Sequence, residues 1–133
     1  MIDTNTVIRA HIVANAGLLA LVSTRIYCPR LIENATLPAI SFFTRGGSST
    51  PYIPGWLAPS VQFDCWADSQ DGARAIYRAL YDCLQGIQNT IVSISGTDYY
   101  INSCREEIQG QDLVDQEIQG YFRTLAFFEF VMR

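Results

Sequence analysis

His11 is the single histidine among 133 residues, so any Ser-His-Asp or Cys-His arrangement must run through it. It falls on a helical pattern beside Val7 and Leu18. No strand-turn-helix nucleophile motif of the GxSxG type accompanies it, and a partly buried structural histidine is the expectation. The four cysteines, Cys28, Cys65, Cys83 and Cys104, are spread one to each predicted element without CxxC spacing. One histidine and dispersed thiols fall short of the close-set ligands of a zinc site. An even count permits two disulfides. Cys65 and Cys83 nevertheless lie on apolar faces, where a free cysteine packs as a small hydrophobe, so reduced core thiols are expected.

Carboxylates are the other candidates. Asp64, Asp68 and Asp71 do not match the spacing of a calcium loop, and Asp68 and Asp71 are placed to serve a helix N-terminus instead. Glu106, Glu107, Asp112, Asp115 and Glu117 form an acidic cluster. They lack the apolar setting that raises a carboxyl pKa for acid or base work, and a solvated loop is their expected place. Gly46-Gly47-Ser48-Ser49-Thr50 has the glycines of a phosphate cradle but neither the lysine nor a following helix, since Pro51 and Pro54 come next. Its reading is a flexible arm with Arg45 at its base and Tyr52 and Trp56 as aromatic anchors. Those rings either meet a partner or pin the loop to its own domain.

All nine basic side chains are arginine and lysine is absent, which removes Schiff-base chemistry and a P-loop lysine. A net charge of -4 and a pI near 4.7 argue against a dedicated nucleic-acid binder, and no basic stripe is visible. The opening Met1-Ile2-Asp3-Thr4-Asn5 lacks the basic start and apolar run of an export signal. No segment approaches the roughly 18 apolar residues of a membrane span, so cytosolic synthesis without a membrane is expected. No cofactor is implied.

The elements that must position these residues are organised around Val61–Ala67. Val61, Phe63, Cys65 and Ala67 alternate with Gln62, Asp64 and Trp66, as in a half-buried strand. A helix follows with Ala73, Ile76, Tyr77, Leu80 and Leu84 on one face, capped by Asp68 or Ser69 and closed by Gly86. Earlier, a helix runs from Thr4 to near Ala14. Asn15 starts a further short turn of helix over Leu18 to Val22, and strands follow at Arg25–Cys28 and Ala39–Arg45. Gly46 to Pro59 reads as a long loop, and loops of that length are usually functional or mobile. Thr90–Ile94 and Tyr99–Glu107 form a hairpin about Ser95-Gly96-Thr97-Asp98, and Gln109–Gln119 reads as a polar connector. The last strand, Tyr121–Met132, is apolar on both faces. Phe122, Phe128, Phe130 and Met132 point one way, and Leu125, Phe127 and Val131 the other. A strand of this kind needs cover on two sides, supplied either by a folded-over loop or by another subunit.

The sum is an α+β fold: a single domain with a mainly antiparallel β-sheet and two principal α-helices packed on it. In their order along the chain, Leu19-Ala20-Leu21-Val22, Arg25-Ile26-Tyr27, Leu37-Pro38-Ala39-Ile40, Val61-Gln62-Phe63-Asp64-Cys65-Trp66-Ala67, Ala73-Arg74, Ala79-Leu80 and Arg123-Thr124-Leu125-Ala126-Phe127 resemble the tail completion, or tail terminator, proteins of long-tailed bacteriophages. The resemblance implies a non-enzymatic virion protein made in the host cytoplasm. It would form a ring, typically hexameric, that caps the tail tube at its head-proximal end and meets the head-tail connector. It implies homo-oligomer contacts, for which Leu125, Phe127 and Val131 are the candidates. DNA would only pass through the ring, and the acidic residues Glu106, Glu107, Asp112, Asp115 and Glu117 are candidates for a repulsive lining. The rival readings are another neck or minor tail component and, from a different class, a small enzyme using His11 and the Asp64 region.

Overall fold

A computed structural model describes residues 2–53, 55–114 and 120–133. The elements are α1 (Thr4–Val13), α2 (Ala16–Val22), β1 (Ile26–Tyr27), β2 (Ala39–Ser49), β3 (Leu57–Ala67), α3 (Gln70–Leu84), β4 (Gln88–Ile94), β5 (Thr97–Val114) and β6 (Phe122–Met132). The sheet order is β1-β2-β3-β6-β5-β4. Only the β1–β2 pair is parallel, and the others are antiparallel.

Local chemistry explains most boundaries. Asp3 and Asn15 cap α1 and α2 by accepting from the Asn5 and Leu18 amides. The Ser69 hydroxyl accepts from the Gly72 amide at 3.1 Å, which makes Ser69 rather than Asp68 the cap of α3. Gly86, at φ +77, ends that helix. Ser95 and Gly96 both have positive φ, so β4 and β5 are joined by a two-residue turn of the kind that matches strand twist. Three helices lie on the sheet where two principal ones are expected, because the turn begun by Asn15 grows to seven residues. Val61, Phe63, Cys65 and Ala67 face the helices and are buried with Ile8, Ile12, Leu18, Ile76, Leu80, Phe128 and Phe130 in one core.

Two expected loops are strands. Gly46 to Ser49 extend β2, and Leu57 to Pro59 begin β3, so only residues 50–56 connect them. The glycines serve close approach rather than flexibility. A Cβ on Gly47 would overlap the Ala58 carbonyl oxygen and stand 2.8 Å from Pro59 Cα. A register shift between Thr44 and Gly47 absorbs the extra residue. Pro59 sits where the β3–β6 ladder lapses between Leu57 and Ser60, so its missing N–H is not needed there. The supposed connector after residue 109 is likewise strand as far as Val114, with three register shifts along β5. Gly110 leaves room for the Tyr77 ring, which a Cβ would approach to 2.8 Å.

Candidate functional site

His11 and Asp64 do not share a site. His11 lies on the helical side, its Nε2 3.8 Å from Cys83 Sγ, while Asp64 lies on the other face of the sheet beside Arg123. The His11–Cys83 proximity was invisible in the sequence because the two residues come from α1 and α3. Burial holds the Cys83 thiol up at about 11 and the His11 imidazole below its ordinary value. A nucleophilic dyad requires the opposite shifts, a thiolate beside an imidazolium. Among the described residues, no three His, Cys, Asp or Glu side chains are grouped to hold a metal.

The chemically distinctive surface is the helix-free face of the sheet. Along β6 the even-numbered residues Thr124, Ala126, Phe128, Phe130 and Met132 are fully buried under the helices, while Arg123, Leu125, Phe127, Glu129 and Val131 are half-buried. Arginines laid over rings supply much of their cover. The Arg45 guanidinium stands 4.0 Å from the Phe127 ring centre, and that of Arg123 stands 5.1 Å from the Trp66 ring centre. A planar guanidinium can stack in this way and an ammonium cannot, which gives the all-arginine composition a structural use.

This face gathers residues assigned to three separate places by the sequence. Arg45 lies within β2, which continues past the expected strand end to Ser49. Its Nε donates to Ser60 Oγ at 2.8 Å, its NH2 group reaches Glu107 at 3.3 Å, and Ser60 Oγ donates to Glu107 at 2.6 Å. Candidate loop, interface and lumen residues thus form one cluster, Arg45–Phe127–Glu107. Beside it Arg105 pairs with Glu129 at 2.6 Å. These exposed pairs contribute about 0–1 kcal/mol each and act mainly to fix orientation.

The acidic set is divided. Glu106 turns to the helical side, where the Tyr77 hydroxyl donates to it at 2.7 Å. Asp112 is there too, 3.5 Å from Arg74 and accepting from Thr124 Oγ1 at 3.2 Å. Asp115 and Glu117 lie outside the described residues. Of the aromatic anchors, Tyr52 is 89% exposed at the tip of the β2–β3 arm, whereas Trp56 is half-buried.

One end of the face is more enclosed. Trp66 and Tyr121 line a cleft of about 420 Å³ opposite the 30–34 segment, and the Trp66 indole donates to buried Ser41 at 2.9 Å. Here Asp64 is 6% exposed, with Oδ1 lacking a hydrogen-bond donor and Arg123 3.7 Å away.

The sequence matches no family model and no curated protein. One chain of a solved structure described as the virion of a native gene transfer agent particle superposes with a TM-score of 0.70, at 16% identity, over 98% of this chain and 95% of that one. The two chains share a fold.

Burial pushes the Asp64 carboxyl up more strongly than Arg123 pulls it down. A raised folded-state value favours the protonated form, so this contribution to stability is complete below about pH 4 and is lost as pH rises through the raised value. Asp64→Asn is therefore expected to stabilise the chain at pH 7. The gain should vanish below about pH 4, as checked by thermal melts across pH. A variant less stable than the parent at pH 7 would refute this account of Asp64.

Proposed function

We propose that the chain is a non-enzymatic structural component of a phage-like virion: a ring-forming subunit that caps the tail tube and joins it to the head. The observation carrying this reading is the near-complete, two-way superposition on a chain of a virion structure. That virion describes the neighbour, and its role is extended here to this chain. The helix-free face supports the extension, since half-covered apolar residues on a rigid sheet are the expected property of an assembly surface.

In this reading six copies form the ring. The tail tube protein lies on one side, the head-tail connector proteins on the other, and DNA passes through without specific contact. Leu125, Phe127 and Val131 serve copy-to-copy association, and Tyr52 at the arm tip serves the neighbouring virion proteins. Because Glu106 and Asp112 lie on one side of β5 and Glu107 on the other, any repulsion of passing DNA would come from the β5 margin rather than from a single acidic face.

The test is native mass spectrometry and light scattering, alone and with purified tail tubes. A discrete ring is expected. Leu125→Asp combined with Phe127→Asp should weaken association about a hundredfold or more and leave a folded chain by circular dichroism. A ring that forms unchanged in that variant would remove this face from the interface. A chain that neither oligomerises nor binds tubes would overturn the reading.

A further inference from the structure

The sheet protects its margins unevenly. β1 covers β2 at Ile40 and Ser41. The part of β5 that extends beyond β4 is closed by α3 and by charge. Gly86 donates to the Cys104 carbonyl at 3.0 Å, Gln85 Oε1 accepts from the Glu106 amide at 2.6 Å, and Arg105, Glu106, Glu107 and Asp112 punctuate the strand. β4 has no such hydrogen bonds or charges on its outer edge, although Asn89 within it stands at φ +49 and α1 lies near Ile94. Its seven residues, QNTIVSI, include no charge and no proline, and among the described residues no backbone hydrogen bond joins it to anything but β5. Ile91 is 57% exposed on it, next to Tyr100 at 43%. Soluble proteins blunt such edges with lysine, proline, bulges or cover, because an open ladder recruits another strand.

The opposite margin is also open. Beyond Ser41, β2 has no partner strand on its outer side among the described residues, and its one charged residue there, Arg45, is turned onto Phe127 and Glu107. Two unlike open edges at opposite margins of one sheet offer the two different patches that a head-to-tail contact uses.

We infer that β4 of one copy pairs with the free stretch of β2, residues 43–49, of the next copy, so that the sheets join edge to edge around the ring. The occupant of the β4 edge is thus a second copy of this chain. Main-chain bonds would supply most of the contact, and the exposed Ile91 side chain would meet Phe43 of the next copy. This inference rests on the ring reading and adds the specific contact to it.

The test uses the full chain with Cys28, the exposed cysteine, replaced by serine, since Cys65, Cys83 and Cys104 are buried. Ser93→Cys and Ser48→Cys chains are mixed and treated with a short bismaleimide. Cross-links between the two different variants are expected, with little within either variant alone. Separately, Ile91→Lys should weaken association about tenfold or more while leaving the melting temperature of the monomer unchanged. A ring that persists in Ile91→Lys with no mixed cross-link overturns the edge contact but leaves the ring reading standing. Cross-linking of Ser93→Cys chains to one another alone would show a two-fold β4–β4 contact and overturn the head-to-tail form. A parent chain that stays monomeric, even with tubes, overturns both.

Discussion

Phe63→Ala is expected to lower the unfolding free energy by about 3–5 kcal/mol, measured by urea denaturation at pH 7. Phe63 is fully buried on β3. Its ring stacks on Phe42 at 5.6 Å, meets Phe128 edge-on at 5.6 Å and lies 6.4 Å from Phe130. It therefore links β2, β3 and β6 beneath the helices. Truncation removes contacts with three aromatic rings at once, and these neighbours are held by strand pairing, so the cavity cannot close by a simple shift of one side chain. Domains of this kind have about 5–15 kcal/mol in total, so a large fraction of the native state is at stake. A loss below about 1 kcal/mol would mean that Phe63 is not the centre of the core.

Gly47→Val is expected to act differently, releasing the arm without unfolding the domain. Gly47 has φ +144, a conformation that a β-branched residue avoids, and its missing side chain is what lets β2 approach the Ala58 carbonyl. Backbone strain of about 1–3 kcal/mol and steric overlap of about 1–3 kcal/mol would add. The pairs that the strained residue holds in place are Gly47 with Pro59, Ser48 with Ala58 and Ser49 with Leu57. Cross-strand pairs contribute about 0.2–1 kcal/mol each, so the cost is comparable to or larger than what keeps the arm zipped. Amide exchange should accelerate at residues 48, 49, 57 and 58 while the global melt moves little. Unchanged exchange there would show that the arm tolerates a side chain. The groove of about 560 Å³ between the arm and residues 2–4 would open in the same variant.

These two outcomes also show which parts of the structure were readable beforehand. Strand parity was legible: the face assigned to Val61, Phe63, Cys65 and Ala67 is the buried one, and the two apolar faces of β6 are real. Helix limits were legible because their signals are local, as at Asn15, Ser69 and Gly86. The lengths of β2 and β5 were not. A glycine that permits close approach of two strands looks the same in sequence as a glycine that loosens a loop, and the acidic residues, of which Glu107 and Asp112 are exposed as expected, gave no sign of their partners Tyr77, Arg45 and Arg74. The site itself was legible only in pieces. Arg45, Phe127 and Glu107 were each noticed, but alternation tells which face a residue takes and not which strand lies next to it. Their meeting depends on β6 inserting between β3 and β5. Arg123 and Trp66 went unassigned for the same reason, although Arg123 shares the parity of Leu125 and Phe127 along β6.

That insertion governs when the sheet is complete. β6 is the strand through which the β1-β2-β3 part and the β5-β4 part of the sheet are joined. Phe63 pairs with Ala126, about sixty residues later in the chain. On the ribosome, β3 must wait for that much further synthesis before its second neighbour exists, and the nascent chain keeps an open apolar edge until then. A product interrupted before Phe122 has no strand to hold its two outer margins at a fixed separation. Such fragments cannot present both margins of a finished sheet at once, so any contact that needs both margins is closed to an incomplete chain by topology alone.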